Sequence, residues 1–458
     1  MNQTLGQKLF RTKTSGHKSD DGHAHALGRS LGLFPLTMIG VGATIGTGIF
    51  FTMVEAVPKA GPAVVLSFLM AAITAGLTAL CYAELADRVP ASGSSYSFAY
   101  ATVGEFAAFV VAACLLLEYG LAASATAIGW SDYLNNFLQN ALGWQIPDAL
   151  RSPMIVAGKN GGVEFHAGHI NLPPILLVVL CCVLLIRGTR ESATTNAIMV
   201  LIKLAILVFF SAIALSGFDI NNFHPFVWPA DGKGVGGLAG VTAAAGTVFY
   251  MLVAIAALGA QPASMFAGQE AGLAVILQNV TGKAWPALVL SAGAVISVFS
   301  VTLVTIYGQT RILYAIAKDG LVPQVFRTVN PRTQSPVTNT LIVSIVVGIV
   351  AGLVDATFLW DMVSMGTLVA FIVVSIAVPV IRRKQGETGR KGFRVPFGPY
   401  LVPGLSILAC LYLVGGLSST TYTVFTIWMT VAVLTYFGYG IRNSRLNKID
   451  VQKTELMH

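Results

Sequence analysis

Runs of about twenty apolar residues, separated by short polar joints, recur along the chain from residue 33 to residue 439. They fall near 33–53, 61–83, 106–130, 172–186, 197–215, 238–259, 287–310, 337–354, 358–380, 400–417 and 422–439. A helix crosses a bilayer core of about 30 Å with about twenty residues, so each run predicts a membrane-spanning helix. Barrel strands would alternate polar and apolar residues over about ten positions, and these runs do not. The fold class that follows is an all-α polytopic membrane protein. A polar N-terminal tail covers 1–30, the transmembrane domain 31–440 and a C-terminal tail 441–458. The longest polar connection, about 131–171, is too short and too rich in Gly and Pro for an independent fold.

Composition narrows the function classes. Of 458 residues, 55% are hydrophobic and 10% charged, against about 25% charged in a soluble domain. The mean hydropathy is +0.74. An ordinary soluble enzyme, a secreted domain and a disordered chain are excluded. The net charge of +8 reflects basic residues spread over short loops, which is the bias of membrane proteins and not a nucleic-acid surface. The cysteines Cys81, Cys114, Cys181, Cys182 and Cys410 lie inside apolar runs without a CxxC pair, so no disulfide framework or zinc ribbon is indicated. None of the histidines lies inside a span, and there is no H-E-x-x-H or Walker motif. The expectation is no enzyme, no catalytic residue, no cofactor and no metal. With no apolar core in the first residues, no cleaved signal peptide is expected.

Loop charge tests the count of spans. The basic residues around Arg29, Arg88, and Arg187 with Arg190 place the N-terminus in the cytoplasm. The groups Lys318–Arg332, Arg382–Arg394 and Arg442–Lys453 also ask for the cytoplasm. Eleven crossings put them outside. The conflict is resolved only if the segment near 238–259 crosses twice or not at all. Gly236 to Ser264 is too short for two crossings, which need about forty residues. A re-entrant element or a missing helical piece both fit.

Three places could carry chemistry. The first span reads Ile39-Gly40-Val41-Gly42-Ala43-Thr44-Ile45-Gly46-Thr47-Gly48-Ile49-Phe50. Gly42 and Gly46 suit close helix packing. The dense glycines suit a break in the helix better, tolerated in lipid only beside a cavity or inside protein. A break exposes amides that favour a carboxylate and carbonyls that favour an ammonium, the two groups of a free amino acid. Lys203, in Met199-Val200-Leu201-Ile202-Lys203-Leu204, reads either as a snorkelling side chain or as a desolvated amine able to exchange a proton near neutrality. Glu118, near the middle of the third span, is either a hydrogen-bonded carboxyl or a polar-cavity residue that selects a cationic side chain. Glu84, Asp87 and Arg88 read as a solvated or gating cluster at a span end. Trp130, Trp228 and Trp285 read as interfacial anchors.

These motifs carry a resemblance. Gly46-Thr47-Gly48-Ile49-Phe50 resembles the unwound first helix of the amino acid-polyamine-organocation superfamily. Cys81-Tyr82-Ala83-Glu84-Leu85 and Pro90 through Tyr100 are similar to its loop between helices two and three. Leu117-Glu118-Tyr119, Gly129-Trp130-Ser131 and Ile198-Met199-Val200-Leu201-Ile202-Lys203 resemble the bacterial cationic amino acid transporter-like branch. So do Gly308 through Tyr314, Lys318 through Pro323, and Phe393-Arg394-Val395-Pro396. The resemblance implies a LeuT-type inverted-repeat fold and multi-pass insertion in the bacterial plasma membrane. It implies uptake of neutral or cationic amino acids by proton symport with alternating access. By resemblance, amides near Thr47 and Gly48 hold the substrate carboxylate and carbonyls near Thr44 and Ile45 the ammonium, with Gly46 between them in the substrate-binding stretch. Lys203 carries the coupling proton, and Glu118 lies near the substrate side chain. One departure stands out. Thr247-Val248-Phe249-Tyr250 is similar to the end of the first half of helix six, whereas Met251-Leu252-Val253-Ala254-Ile255 is already similar to the second half of helix seven. The second half of helix six and the first part of helix seven are lacking, and Phe249 is the one sixth-helix substrate residue carried over. The alternative to transport is therefore a non-transporting, amino acid-binding or inactive truncated permease.

Overall fold

In lipid every backbone polar group needs a partner within its own segment, and the apolar runs meet this as helices. The computed structural model describes residues 4–13, 46, 48–89, 94–157, 163–187, 193–227, 248–330, 335–385 and 392–447. Thr44, Ile45 and Thr47 lie outside these residues, as does Trp228.

The described helices, in chain order, are α1 (Leu5–Leu9), α2 (Thr52–Ala60), α3 (Val64–Arg88), α4 (Ser94–Thr102), α5 (Glu105–Leu142), α6 (Leu172–Ile186) and α7 (Ala193–Ser216). They continue with α8 (Val248–Ala260), α9 (Gly272–Thr281), α10 (Ala284–Lys318), α11 (Val337–Leu353), α12 (Ala356–Gln385), α13 (Leu401–Val414) and α14 (Ser419–Thr435). A small antiparallel hairpin pairs Ile155–Ala157 with Val163–Phe165. Among the described residues, six stretches are long and apolar enough to cross a membrane: Thr52–Arg88, Glu105–Leu142, Ile198–Ser216, Ala284–Lys318, Ala356–Gln385 and Ser419–Asn447.

Apolar surface alone gives no reason for helices to meet in lipid; close packing of small residues and interhelical hydrogen bonds do. The pairing of α5 with α10 shows both. Ala123, Ser124, Ala125, Thr126 and Ala127 are buried on α5. The Thr126 and Thr302 hydroxyls lie 3.2 Å apart, and Gln309 Nε2 donates to the Leu116 carbonyl at 3.0 Å. Trp130 Nε1 donates to the Val295 carbonyl at 3.1 Å. These partners run in opposite directions, so the two helices are antiparallel.

One end of the bundle gathers the basic residues. The two chain termini meet there, where Arg11 Nη1 donates to Asn447 Oδ1 at 2.6 Å. At that end Arg88 and Arg382 flank Glu84, and Lys384 donates to the Thr102 carbonyl. Among the described residues, the opposite end carries Lys59, Arg151 and Lys283 as its basic residues.

The conflict between crossings and charge has a structural answer. The Asp219 amide and Asn222 Nδ2 both donate to the Gly259 carbonyl, at 2.8 Å each. The chain therefore leaves the opposite end after α7 and is back at the same end when α8 finishes. The excursion begins at Asp219, earlier than Gly236, and the helices that follow keep their basic loops on one side. Within it, α8 runs without interruption from Val248 to Ala260.

Other expectations are corrected. The third span ends at Leu142 and not near 130, so Trp130 is no interfacial anchor: it is 7% exposed and bonded to α10. Trp285, 53% exposed at the start of α10, does sit at a span end. Glu84 is not solvated. It is fully buried, because its carboxylate collects Arg382, Arg88 and the Val395 amide.

Candidate functional site

In the first span, neither Gly46 nor Gly48–Phe51 is α-helical. Gly46 takes φ +50°, a left-handed conformation that costs a side-chain-bearing residue about 1–2 kcal/mol. Gly48–Phe50 forms a 3₁₀ turn, and α2 starts only at Thr52. Carbonyls freed by this irregular stretch are taken up by specific donors. The Thr52 hydroxyl donates to the Gly48 carbonyl at 2.5 Å, and the Tyr133 hydroxyl donates to the Phe50 carbonyl at 2.7 Å.

Lys203 completes the turn. From the middle of α7 its Nζ donates to the Gly46 carbonyl at 3.0 Å. The residue is 3% exposed. The side chain thus runs inward to the first-helix turn, and snorkelling to a membrane face does not occur. The amine meets the carbonyl of the residue whose backbone only glycine adopts without strain.

Beside the turn is a hollow of about 80 Å³, lined on α5 by Ala125, Gly129, Asp132 and Tyr133. This i, i+4, i+7, i+8 spacing places the four on one helical face. Phe50 and Phe51 supply the floor, Trp360 of α12 one wall, and Gln269, Ala271 and Gly272 a cover. Gly129 allows the close approach: a Cβ there would lie 2.4 Å from the Phe51 ring. The Phe51 ring stacks on Trp360 with centroids 5.5 Å apart. A second hollow, of about 320 Å³, lies against the first toward the end opposite the basic one. Asp132 lines both, and Asn135, Gln139, Arg151 and Glu270 line the outer one.

Glu118 lies on the same α5 face as Ala125, seven residues or about 10 Å deeper. Its Cβ packs where a Cβ on Gly366 of α12 would be 3.4 Å away, and the hydroxyl of Thr367, the next residue, donates to the Val363 carbonyl at 3.0 Å. It is not among the residues lining the 80 Å³ hollow. Phe249 is in the first turn of α8, on one helix with Met251 through Ala260; its side chain is not described. The structure thus brings together Gly46, Gly48 and Lys203, and places Glu118 below the hollow.

Sequence reasoning did not find Tyr133, Phe51 or Trp360. The signal for Tyr133 was present: it follows Gly129 by one turn, on the face that meets the glycine-rich stretch. Phe51 and Trp360 had none, because aromatic residues within apolar runs are ordinary core.

Gly46→Ala should destabilise the protein by about 1–2 kcal/mol through the left-handed backbone. Thermal unfolding in detergent measures it, and an unchanged midpoint would mean that the turn relaxes freely.

The amino acid permease family model matches residues 31–244 and 238–439. The branched-chain amino acid permease BcaP of Bacillus subtilis (strain 168) is 36% identical, over 95% of this chain and 96% of its own. The methylthioribose transporter of the same organism is 36% identical, over 96% of this chain and 99% of its own. Cationic amino acid transporter 4 of Mus musculus is 32% identical, over 83% of this chain and 64% of its own.

Proposed function

Because the chain belongs to the amino acid permease family, membrane transporters and not enzymes, we propose that it takes up an amino acid by proton symport with alternating access. The observation that carries this reading is the Lys203 amine on the carbonyl of left-handed Gly46. Deprotonation of that amine would weaken its charge-assisted bond to the turn. Proton occupancy and the shape of the turn are then linked. The amides near Thr47 and Gly48 meet the substrate carboxylate, and carbonyls near Thr44 and Ile45 its ammonium. The basic end faces the cytoplasm by the positive-inside rule, which places both tails inside the cell and opens the two hollows outward in the bacterial cell membrane. BcaP points to branched-chain side chains and the cationic transporters to basic ones; the aromatic wall of Phe51 and Trp360 suits the first, Glu118 the second.

The fold in this reading is the LeuT-type inverted repeat with helices six and seven shortened. The unbroken helix from Val248 to Ala260 supports it, since Phe249 shares that helix with the residues that resemble helix seven. The same feature favours a second reading, a permease that binds amino acids without transporting them. Uptake of labelled leucine and lysine into proteoliposomes under an imposed pH gradient separates the two. Accumulation that collapses with a protonophore supports symport. Binding with no uptake favours the second reading.

Glu118→Gln should weaken lysine or arginine uptake about ten-fold more than leucine uptake, the worth of one charge-assisted hydrogen bond. Equal losses for both classes would leave Glu118 without a part in side-chain selection.

A further inference from the structure

Two carboxylates at the basic end are covered by both termini at once. Glu105, fully buried at the start of α5, accepts from Arg11 at 2.8 and 3.0 Å. It also accepts from the hydroxyls of Tyr100 at 2.9 Å, Tyr436 at 3.1 Å and Ser444 at 2.5 Å. Asp319, just after α10, accepts from Lys13 at 2.6 Å and from the Tyr96 hydroxyl at 2.8 Å. Burial first, and the neighbouring carboxylate second, push the Tyr96 and Tyr100 hydroxyls well above their usual range, so both stay donors.

Main-chain bonds thread the same place. The Glu105 amide donates to the Arg11 carbonyl, the Lys13 amide to the Tyr100 carbonyl and the Arg445 amide to the Asp319 carbonyl, at 3.0 to 3.2 Å. Arg11 bridges the two tails through Asn447. Phe10 lies so close over Gly104 that a Cβ there would be 2.8 Å from the Phe10 Cα.

This exceeds what a tail needs to be tidy. A lysine and an arginine from the N-terminal segment and a serine and an amide from the C-terminal segment converge on the α5 and α10 ends. Those are the two helices that form the longest antiparallel pair of the bundle. The N-terminal segment precedes in sequence the span that contains the Gly46 turn.

We propose that the two termini form a joint, releasable clasp on Glu105 and Asp319 that holds the cytoplasmic mouth shut, and that each tail stays seated only while the other does. The gating half of this inference rests on the transport reading; the mutual seating does not. Loss of the clasp shifts the protein toward its inward-open form, and external substrate then sees fewer competent molecules.

Hydrogen exchange on the full-length protein in nanodiscs tests the seating. R11A/K13A is expected to deprotect residues 441–447, and removal of residues 444–458 to deprotect residues 4–13. Uptake on the same preparations tests the gating: R11A/K13A is expected to raise the apparent KM for external amino acid roughly five-fold, the reciprocal of the fall in the competent fraction. Protection that survives in each tail when the other is released overturns the joint clasp. Reciprocal deprotection with an unchanged KM overturns its gating role. If the parent protein takes up no amino acid, the transport reading falls, and the exchange result alone decides the seating.

Discussion

Replacing Lys203 with methionine is expected to abolish the pH dependence of amino acid uptake and to lower substrate affinity by about ten- to one hundred-fold. The side chain is 3% exposed and its Nζ holds the Gly46 carbonyl. Methionine fills much of the same volume but donates nothing. The Gly46 carbonyl then loses a donor inside the protein, at a cost of about 1–3 kcal/mol, and a factor of ten in affinity corresponds to about 1.4 kcal/mol. Binding by isothermal titration and uptake across a pH series, each for parent and variant, give both numbers. A variant with reduced affinity but the parent's pH profile would move the coupling proton away from Lys203 and leave it a structural brace of the turn.

Glu84→Ala is expected to cost about 3–5 kcal/mol of stability, the usual penalty for removing one partner of a buried ion pair. Glu84 joins α3 to α12 and to the loop before α13. Arg382 approaches its carboxylate with Nε at 2.7 Å and Nη2 at 2.6 Å, Arg88 Nε lies 2.9 Å away, and the Val395 amide donates at 2.8 Å. Arg88 and Arg382 are 7% and 8% exposed. Removing the carboxylate therefore leaves two poorly hydrated guanidinium groups side by side. A large drop in the detergent unfolding midpoint checks this, and Glu84→Ala/Arg382→Met should recover part of it by taking away one stranded charge. If Glu84→Ala melts with the parent, the network adds no stability and serves some other end.

The spans were legible because lipid enforces a simple rule: a helix must be long and apolar, and both properties are written locally. The ends of α3, α7, α10, α11 and α12 fall within several residues of the apolar runs. The break at Gly46 was legible too, since four glycines within ten residues make a continuous helix expensive. What lay hidden depended on partners distant in sequence. Nothing around Glu84 announces Arg382, and nothing around Glu105 announces Arg11. Trp130 illustrates the same limit. Position near a predicted span end suggested an interface, yet α5 continues for three more turns, and a polar stretch such as Ser131-Asp132-Tyr133 stays helical because its side chains meet Asn171, the two hollows and the first-helix turn. Lys203 could be read either way until the location of the Gly46 carbonyl was known.

The hydrogen bonds that tie Asp219 and Asn222 to Gly259 make the intervening chain a detour with an even number of passages. Such a detour can gain or lose length without inverting anything downstream, because departure and return share one membrane face. Evolution can thus edit this part of the molecule while every later loop stays on its own face of the bundle. An odd-numbered edit anywhere else would turn the remainder of the protein inside out.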